Sequence, residues 1–237
     1  GAYRGGVGKL MMNLLKDIDA CIFDFDGTLV DSMWVWTAID REYFRKYNLT
    51  QPESFHEGME GMSYSEVAQY FVDIFPSLPL TRDEIMEEWT RMAYRKYMTE
   101  VPPKEGITDF LKALRSQGKK LGIATSNTKE LVEDTLKALG LSELFDTVRS
   151  ACEVQKGKPA PDVYLLAASD LNAKPSRCLA FEDVPMGILA GKNAGMKVCA
   201  IEDDFSKKQA GDKRELADYY IQDYRDVKNG TYDLLLK

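Results

Sequence analysis

From Gly106 to the C-terminus the chain alternates short apolar runs with amphipathic segments that close on glycine, and few folds accept that rhythm. The helix ITDFLKALRSQG closes on Gly118, KLGIATSN follows as a strand, and the helix over 129–139 closes on Gly140. LFDTVRSA reads as another strand. PDVYLLAASDL then leads as a helix to the strand CLAFED, PMGILAGKNAG leads to MKVCAIED, and ADYYI gives a last strand before a closing helix. Alternation of this kind predicts an α/β, Rossmann-like core, a parallel sheet with helices on both faces. Ligands of such sheets gather at the carboxyl ends of the strands, so the residues just past each strand are the ones to inspect.

The first strand lies far upstream, in DIDACIFDFDGT. Ile18, Cys21, Ile22, Phe23 and Phe25 form a short apolar run that ends near Asp24, and Gly27 lets the backbone turn at once. The period then changes. Trp34, Trp36, Ile39, Tyr43, Phe44 and Tyr47 recur at helical spacing, and SYSEVAQYFVDIF and TRDEIMEEWTRMAYRKYM follow as helices until Pro102 and Pro103 stop the pattern. The expected organisation is a core of residues 17–32 and 101–237 with an all-helical cap, residues 33–100, inserted after the first strand. Residues 1–16 are expected to be a tail. Their GGVGK resembles a phosphate-binding loop, but no strand precedes it, Leu10 stands where a hydroxyl residue should hold magnesium, and Met11 or Met12 reads as a start.

Composition excludes several roles. The chain has 237 residues, 44% of them hydrophobic, which suits a globular protein, and its net charge of −7 gives no basic footprint for nucleic acid. Cys21, Cys152, Cys178 and Cys199 are far apart and read as reduced thiols, mostly in core strands. With no secretory leader and no apolar run long enough for a bilayer, the expectation is a cytoplasmic monomer without a membrane partner.

Asp24 and Asp26 alternate onto one side of the strand end, where two like charges call for a hard cation or a shared proton. Other strand ends add Thr125, Ser126 and Asn127, then Glu182 and Asp183, while Lys158 precedes the PDVYLL helix. Singly, each has an ordinary reading. Thr125 belongs to an N-cap region, Asn127 with Glu130 fits a capping box, Lys158 suits a solvated loop, and Glu182 and Asp183 suit a helix N-terminus. Four such sites at one end of one sheet point instead to phosphoryl transfer, which needs an attacking oxygen, cations and donors for the equatorial oxygens.

The ordered motifs DFDGT, ATSN, GKPAPD and FEDVPMGILAGKNAGM resemble those of the haloacid dehalogenase superfamily, specifically its β-phosphoglucomutase-like phosphatases, over residues 18 to about 230. The resemblance implies hydrolysis of a small phosphorylated metabolite through an aspartyl phosphate on Asp24, with Asp26 as general acid and then base. It implies that Thr125, Ser126, Asn127 and Lys158 bind the phosphoryl group. It also implies Mg2+ held by Asp24, the Asp26 carbonyl, Asp183 and Glu182. Family dehalogenases lack an acid at Asp26, which excludes that chemistry. Val184 replaces the serine usual after Glu-Asp and so removes a hydrogen bond near the metal ligands. The alternative is a sugar-phosphate mutase. Such enzymes keep a cap arginine where this chain has Tyr64 and a cap histidine where it has Trp36, and the nearest other cap cations are Arg91, Arg95 and Lys96. Trp34, Trp36, Tyr64 and Arg91 are the candidate cap residues for substrate. A phospho-acceptor signalling module is a more distant alternative, set aside because such domains carry no helical insert here.

Overall fold

The computed structural model describes residues 14–59, 62 and 64–237. The glycine-rich opening with Met11 and Met12, and Ser63 at the start of SYSEVAQ, lie outside them. The chain divides into two compact units, a helical one of Trp34–Glu100 and a sheet unit in which Val101–Lys237 join the segment up to Met33.

The sheet unit carries seven strands, β1 (Ala20–Phe23), β2 (Lys120–Thr125), β3 (Thr147–Ser150), β4 (Cys178–Glu182), β5 (Lys197–Ile201), β6 (Tyr219–Ile221) and β7 (Asp233–Leu234), in the order β3-β2-β1-β4-β5-β6-β7. Every neighbouring pair is parallel except β6 with β7, a short antiparallel addition that the sequence pattern does not announce. β1 is central, with Ala20 opposite both Lys120 and Cys178, and all four of its residues are fully buried.

Its alternation sorts two cores. Ala20 and Ile22, with Ala180 of β4, face Val163, Ala167 and Ile188 of the helices Asp162–Asp170 and Pro185–Asn193. Phe23 instead stacks on its register partner Phe181 at 4.6 Å and meets Phe110 of helix Ile107–Ser116 edge-on at 6.3 Å, while Phe110 stacks on Tyr224 at 5.4 Å. Small residues on one face let helices approach closely, and aromatics fill the other. Each such buried large apolar side chain contributes about 1.5–3 kcal/mol by leaving water. Between β5 and β6 the chain makes a 3-10 segment, Asp204–Gln209, and a helix, Ala210–Leu216, that the apolar periodicity does not predict.

The helical unit contains helices Val35–Lys46, Phe55–Gly58, Tyr64–Ile74 and Arg82–Thr99. Thr81 starts the last of these with a capping box to Glu84, as threonine before a run containing glutamate three residues on should. Tyr43, Phe55, Phe71 and Trp89 form its aromatic centre, with Phe71 and Trp89 at 4.8 Å. Among the described residues no helix is long and apolar enough to cross a membrane.

Candidate active site

All parallel strands present their carboxyl ends on one side of the sheet, and the chemistry-bearing side chains follow those ends. Asp24 comes directly after β1, its N–H donating to Phe181 O at 3.0 Å. The chain then turns tightly, with Gly27 at φ +77° and its N–H on Val30 O. Gly27 is needed twice over, because a side chain there would also place its Cβ 2.1 Å from Asp183 Oδ2. Next to the turn, Thr28 Oγ1 lies 3.2 Å from Asp24 Oδ2 and 3.1 Å from Asp183 Oδ1. A hydroxyl owns one proton, so it cannot donate to both carboxylates together.

Lys158 reaches into the same place. Its Nζ donates to Asp24 Oδ1 at 2.8 Å, to Glu182 Oε1 at 2.7 Å and to Ala124 O at 3.0 Å, which uses all three ammonium protons. The lysine is buried, a loss that would depress an amine, yet the charges of Asp24 and Glu182 outweigh burial and hold it above its usual range. It is therefore not the solvated loop lysine of its ordinary reading. Tyr164 donates its hydroxyl to the same Glu182 oxygen, while Glu182 Oε2 sits where a Cβ on Gly187 would touch it. Burial, then the charge of Asp24, pushes Glu182 up to about 8 despite Lys158. Asp183 is raised well above the carboxylate range, first by burial and then by Asp24 and Glu182.

Asp26 has separate partners. Ser32 Oγ donates to its Oδ1 at 2.6 Å and the Asn127 amide to its Oδ2 at 3.1 Å. Among the described residues, Glu182 and Asp183 are the carboxylates that each offer an oxygen within 4.8 Å of one on Asp24 and of each other. Thr125, 1% exposed at the end of β2, accepts from Asn127 N at 2.9 Å, and Ser150 Oγ donates to Asn127 O at 2.6 Å. Ser126 is exposed at the same turn. The capping box of Asn127 with Glu130 does not form. Thr128 caps helix Lys129–Leu139 instead, accepting from Leu131 N, which leaves the Asn127 amide for Asp26.

The donor set suits a hard divalent cation. Asp24, Glu182 and Asp183 each offer one oxygen within 4.8 Å of the others, all three are buried, and Lys158 is hydrogen-bonded to two of them. Asp183 Oδ2 is buried with no hydrogen-bond partner among the described residues, and the single Thr28 proton is contested by two carboxylates. Carboxylate oxygens short of positive charge are what Mg2+ binds.

The remaining sequence candidates belong to the helical unit. Trp34 precedes helix Val35–Lys46, and Trp36 is exposed with its ring edge-on to Tyr64 at 5.7 Å. Tyr64 donates to Met86 O at 2.9 Å, and Arg91 pairs with Glu87 one turn away. Arg95 lies on the same helix, and Lys96 is buried against Glu42 at 2.6 Å. Sequence reasoning passed over Thr28, Ser32 and Tyr164. Thr28 and Ser32 flank the DFDGT turn and could have been suspected from it, whereas Tyr164 reads as an ordinary apolar helix position.

The family model for haloacid dehalogenase-like hydrolases matches residues 21–201, and the chain belongs to that family. Within it the chain is a phosphatase. It is 32% identical over 175 residues to the validoxylamine A 7'-phosphate phosphatase of Streptomyces hygroscopicus subsp. limoneus, covering 74% of this chain and 81% of that one. It is 30% identical over 183 residues to the phosphorylated carbohydrates phosphatase of Thermotoga maritima, covering 76% and 83%. The crystal structure of CbbY from Rhodobacter sphaeroides in complex with phosphate superposes with a TM-score of 0.71 at 24% identity, over 89% of this chain and 96% of that one, a likeness of fold.

Proposed function

We propose that the chain is a magnesium-dependent phosphatase of small phosphate monoesters, sugar phosphates or similar metabolites, working through an aspartyl phosphate on Asp24. The observation that carries this reading is the hold on Asp24, whose two oxygens face Lys158 Nζ and Thr28 Oγ1 beside the buried carboxylates Glu182 and Asp183. A carboxylate oriented from both sides is prepared to attack in line.

Asp24 forms an O–P bond as the bond from phosphorus to the leaving alcohol breaks, and Asp26 gives that alcohol its proton. Asp26, steadied by Ser32 and Asn127, then takes a proton from the water that attacks the acyl phosphate, which frees Asp24 and inorganic phosphate. Thr125 and the turn through Ser126 and Asn127 bind the phosphoryl oxygens, and Lys158 offsets their charge. Bound Mg2+, held by Asp24, Asp183 and the Asp26 carbonyl with Glu182 beside them, would reduce repulsion between the carboxylate and a nearly dianionic phosphate. Glu182 is tied first to Lys158 and Tyr164, which makes it chiefly the counter-charge of the lysine.

The name of the Thermotoga relative supports a sugar-phosphate class of substrate. Tyr64 and Trp36, uncharged where the mutases keep cationic or titratable groups, favour hydrolysis over phosphoryl relocation. A panel of sugar phosphates and other phosphomonoesters assayed with Mg2+ tests the proposal. Phosphate release that stops on chelation is expected. A folded protein inert towards the whole panel, or one equally active in excess chelator, would overturn it.

A further inference from the structure

Behind the acidic cluster lies a buried chain of hydrogen bonds that the mechanism above does not use. Lys213, fully buried in helix Ala210–Leu216, donates from Nζ to Ile201 O at 2.7 Å and to Ser206 Oγ at 3.1 Å. Ser206, 2% exposed, donates in turn to the Asp183 carbonyl at 2.9 Å, with Asp203 O a longer 3.4 Å away. A buried lysine ordinarily has a carboxylate against it. This one is hydrogen-bonded to a carbonyl and a hydroxyl, with the Tyr220 ring 5.4 Å away, and the charges of Glu202, Asp183 and Asp203 do not outweigh its burial, so it sits there at a cost.

The chemistry of the chain gives it a direction. An ammonium can only donate, so Ser206 Oγ must accept from Lys213, and the single hydroxyl proton is left to point elsewhere, with the Asp183 carbonyl the nearer acceptor. Ser206 is held for this by a local departure from helical geometry, φ −103° and ψ 15°, inside Asp204–Gln209. That segment is itself pinned by Asp203, which caps Phe205 N through one oxygen and pairs with Lys104 through the other. The residue after Asp183 is Val184, which has no hydroxyl to offer. The hydroxyl at this peptide comes instead from a segment beyond β5.

We propose that Lys213 and Ser206 are positioning residues for Asp183, fixing its main chain so that its carboxylate meets the cation in one orientation. The proposal rests on the reading of Asp183 as a metal ligand. Neither residue touches substrate.

Calorimetric titration of the whole chain with Mg2+ alone, without substrate, tests it on Ser206→Ala, Lys213→Met and the double variant, with thermal melts alongside. Each single substitution is expected to weaken Mg2+ binding by about tenfold or more, the range seen when groups behind metal ligands are removed. The double variant should bind no more weakly than the worse single one, because the two act in series. Ser206→Ala removes only a hydroxyl, so it decides the matter even where Lys213→Met fails to fold. A folded Ser206→Ala with wild-type Mg2+ affinity would show that the two residues merely staple the Ala210–Leu216 helix to β5, and additive losses would deny the relay. Absence of Mg2+ binding by the wild type would defeat the metal reading itself, together with this inference, whereas wild-type binding with unchanged variants defeats the inference alone.

Discussion

The side-chain amide of Asn127 donates to Asp26 Oδ2 at 3.1 Å, joining the turn after β2 to the turn after β1. Ser32 holds the other oxygen, so the Asp26 carboxyl cannot rotate freely. If Asp26 moves protons for the leaving alcohol and the water, Asn127→Ala should lower kcat about tenfold while the fold stays intact, since a small misplacement of a reacting group is costly. Steady-state kinetics on the best phosphomonoester would check this. A change confined to KM would leave Asn127 its part in phosphoryl binding and deny it any in orienting Asp26.

Asp24→Asn should lower turnover at least about 10⁴-fold, because an amide cannot form the acyl phosphate. Its melting temperature should not fall. The substitution removes one of three crowded carboxylate charges and leaves Lys158 hydrogen-bonded to Glu182 and Ala124 O. Retention of wild-type turnover in a purified sample would exclude Asp24 as nucleophile.

The helical unit carries a separate titration. Burial pushes the Asp40 carboxyl up to about 6, against the pull of His56. Below the unfolded value of roughly 4, both states hold the proton and pH has no leverage. From there up to about 6 the folded chain keeps a proton that the unfolded chain has released, so stability falls as pH rises, and above that it levels off. Asp40→Asn cannot titrate. Its melting temperature should therefore gain on the wild type between those pH values and hold a constant lead beyond them, and a lead independent of pH would refute the assignment.

Incubation with β-glucose 1-phosphate and a trace of the bisphosphate should release inorganic phosphate faster than it yields glucose 6-phosphate. The reason is local. Tyr64 spends its hydroxyl on Met86 O and Thr90, and Trp36 packs edge-on against it, so neither supplies the cation that a reorienting bisphosphate needs. Phosphate and hexose phosphate quantified in one time course would decide, and a dominant glucose 6-phosphate product would reverse the choice.

Where a helix has a capping residue at one end and glycine at the other, local chemistry is enough to read its bounds, as for Lys129–Leu139 between Thr128 and Gly140. The segment DFSKKQAGDKREL is polar, has no apolar stripe and hides a fully buried lysine, so residues 204–216 look like a solvated loop. The acids of the site are legible because strand ends can be located from apolar runs. Their partners are less so. The bond from Asn127 to Asp26, and that from Tyr164 to Glu182, join residues distant in sequence, and no period or spacing encodes which oxygen a donor will find.

The central position of β1 has a consequence for how the protein comes into being. Ala20 pairs with Lys120 on one edge and Cys178 on the other, so the earliest made of the described strands stays unenclosed until β4 has been made. Until β2 has been made the apolar run Ala20–Phe23 has two open edges, and until β4 has been made it keeps one, while Asp24 waits first for Lys158 and then for Glu182. Such long-range pairing slows folding and leaves a strand available for wrong partners. Synthesis arrested after the helical segment would therefore yield a nascent chain that has its nucleophile but no catalytic centre, and that is prone to aggregate through the very strand that later anchors the sheet.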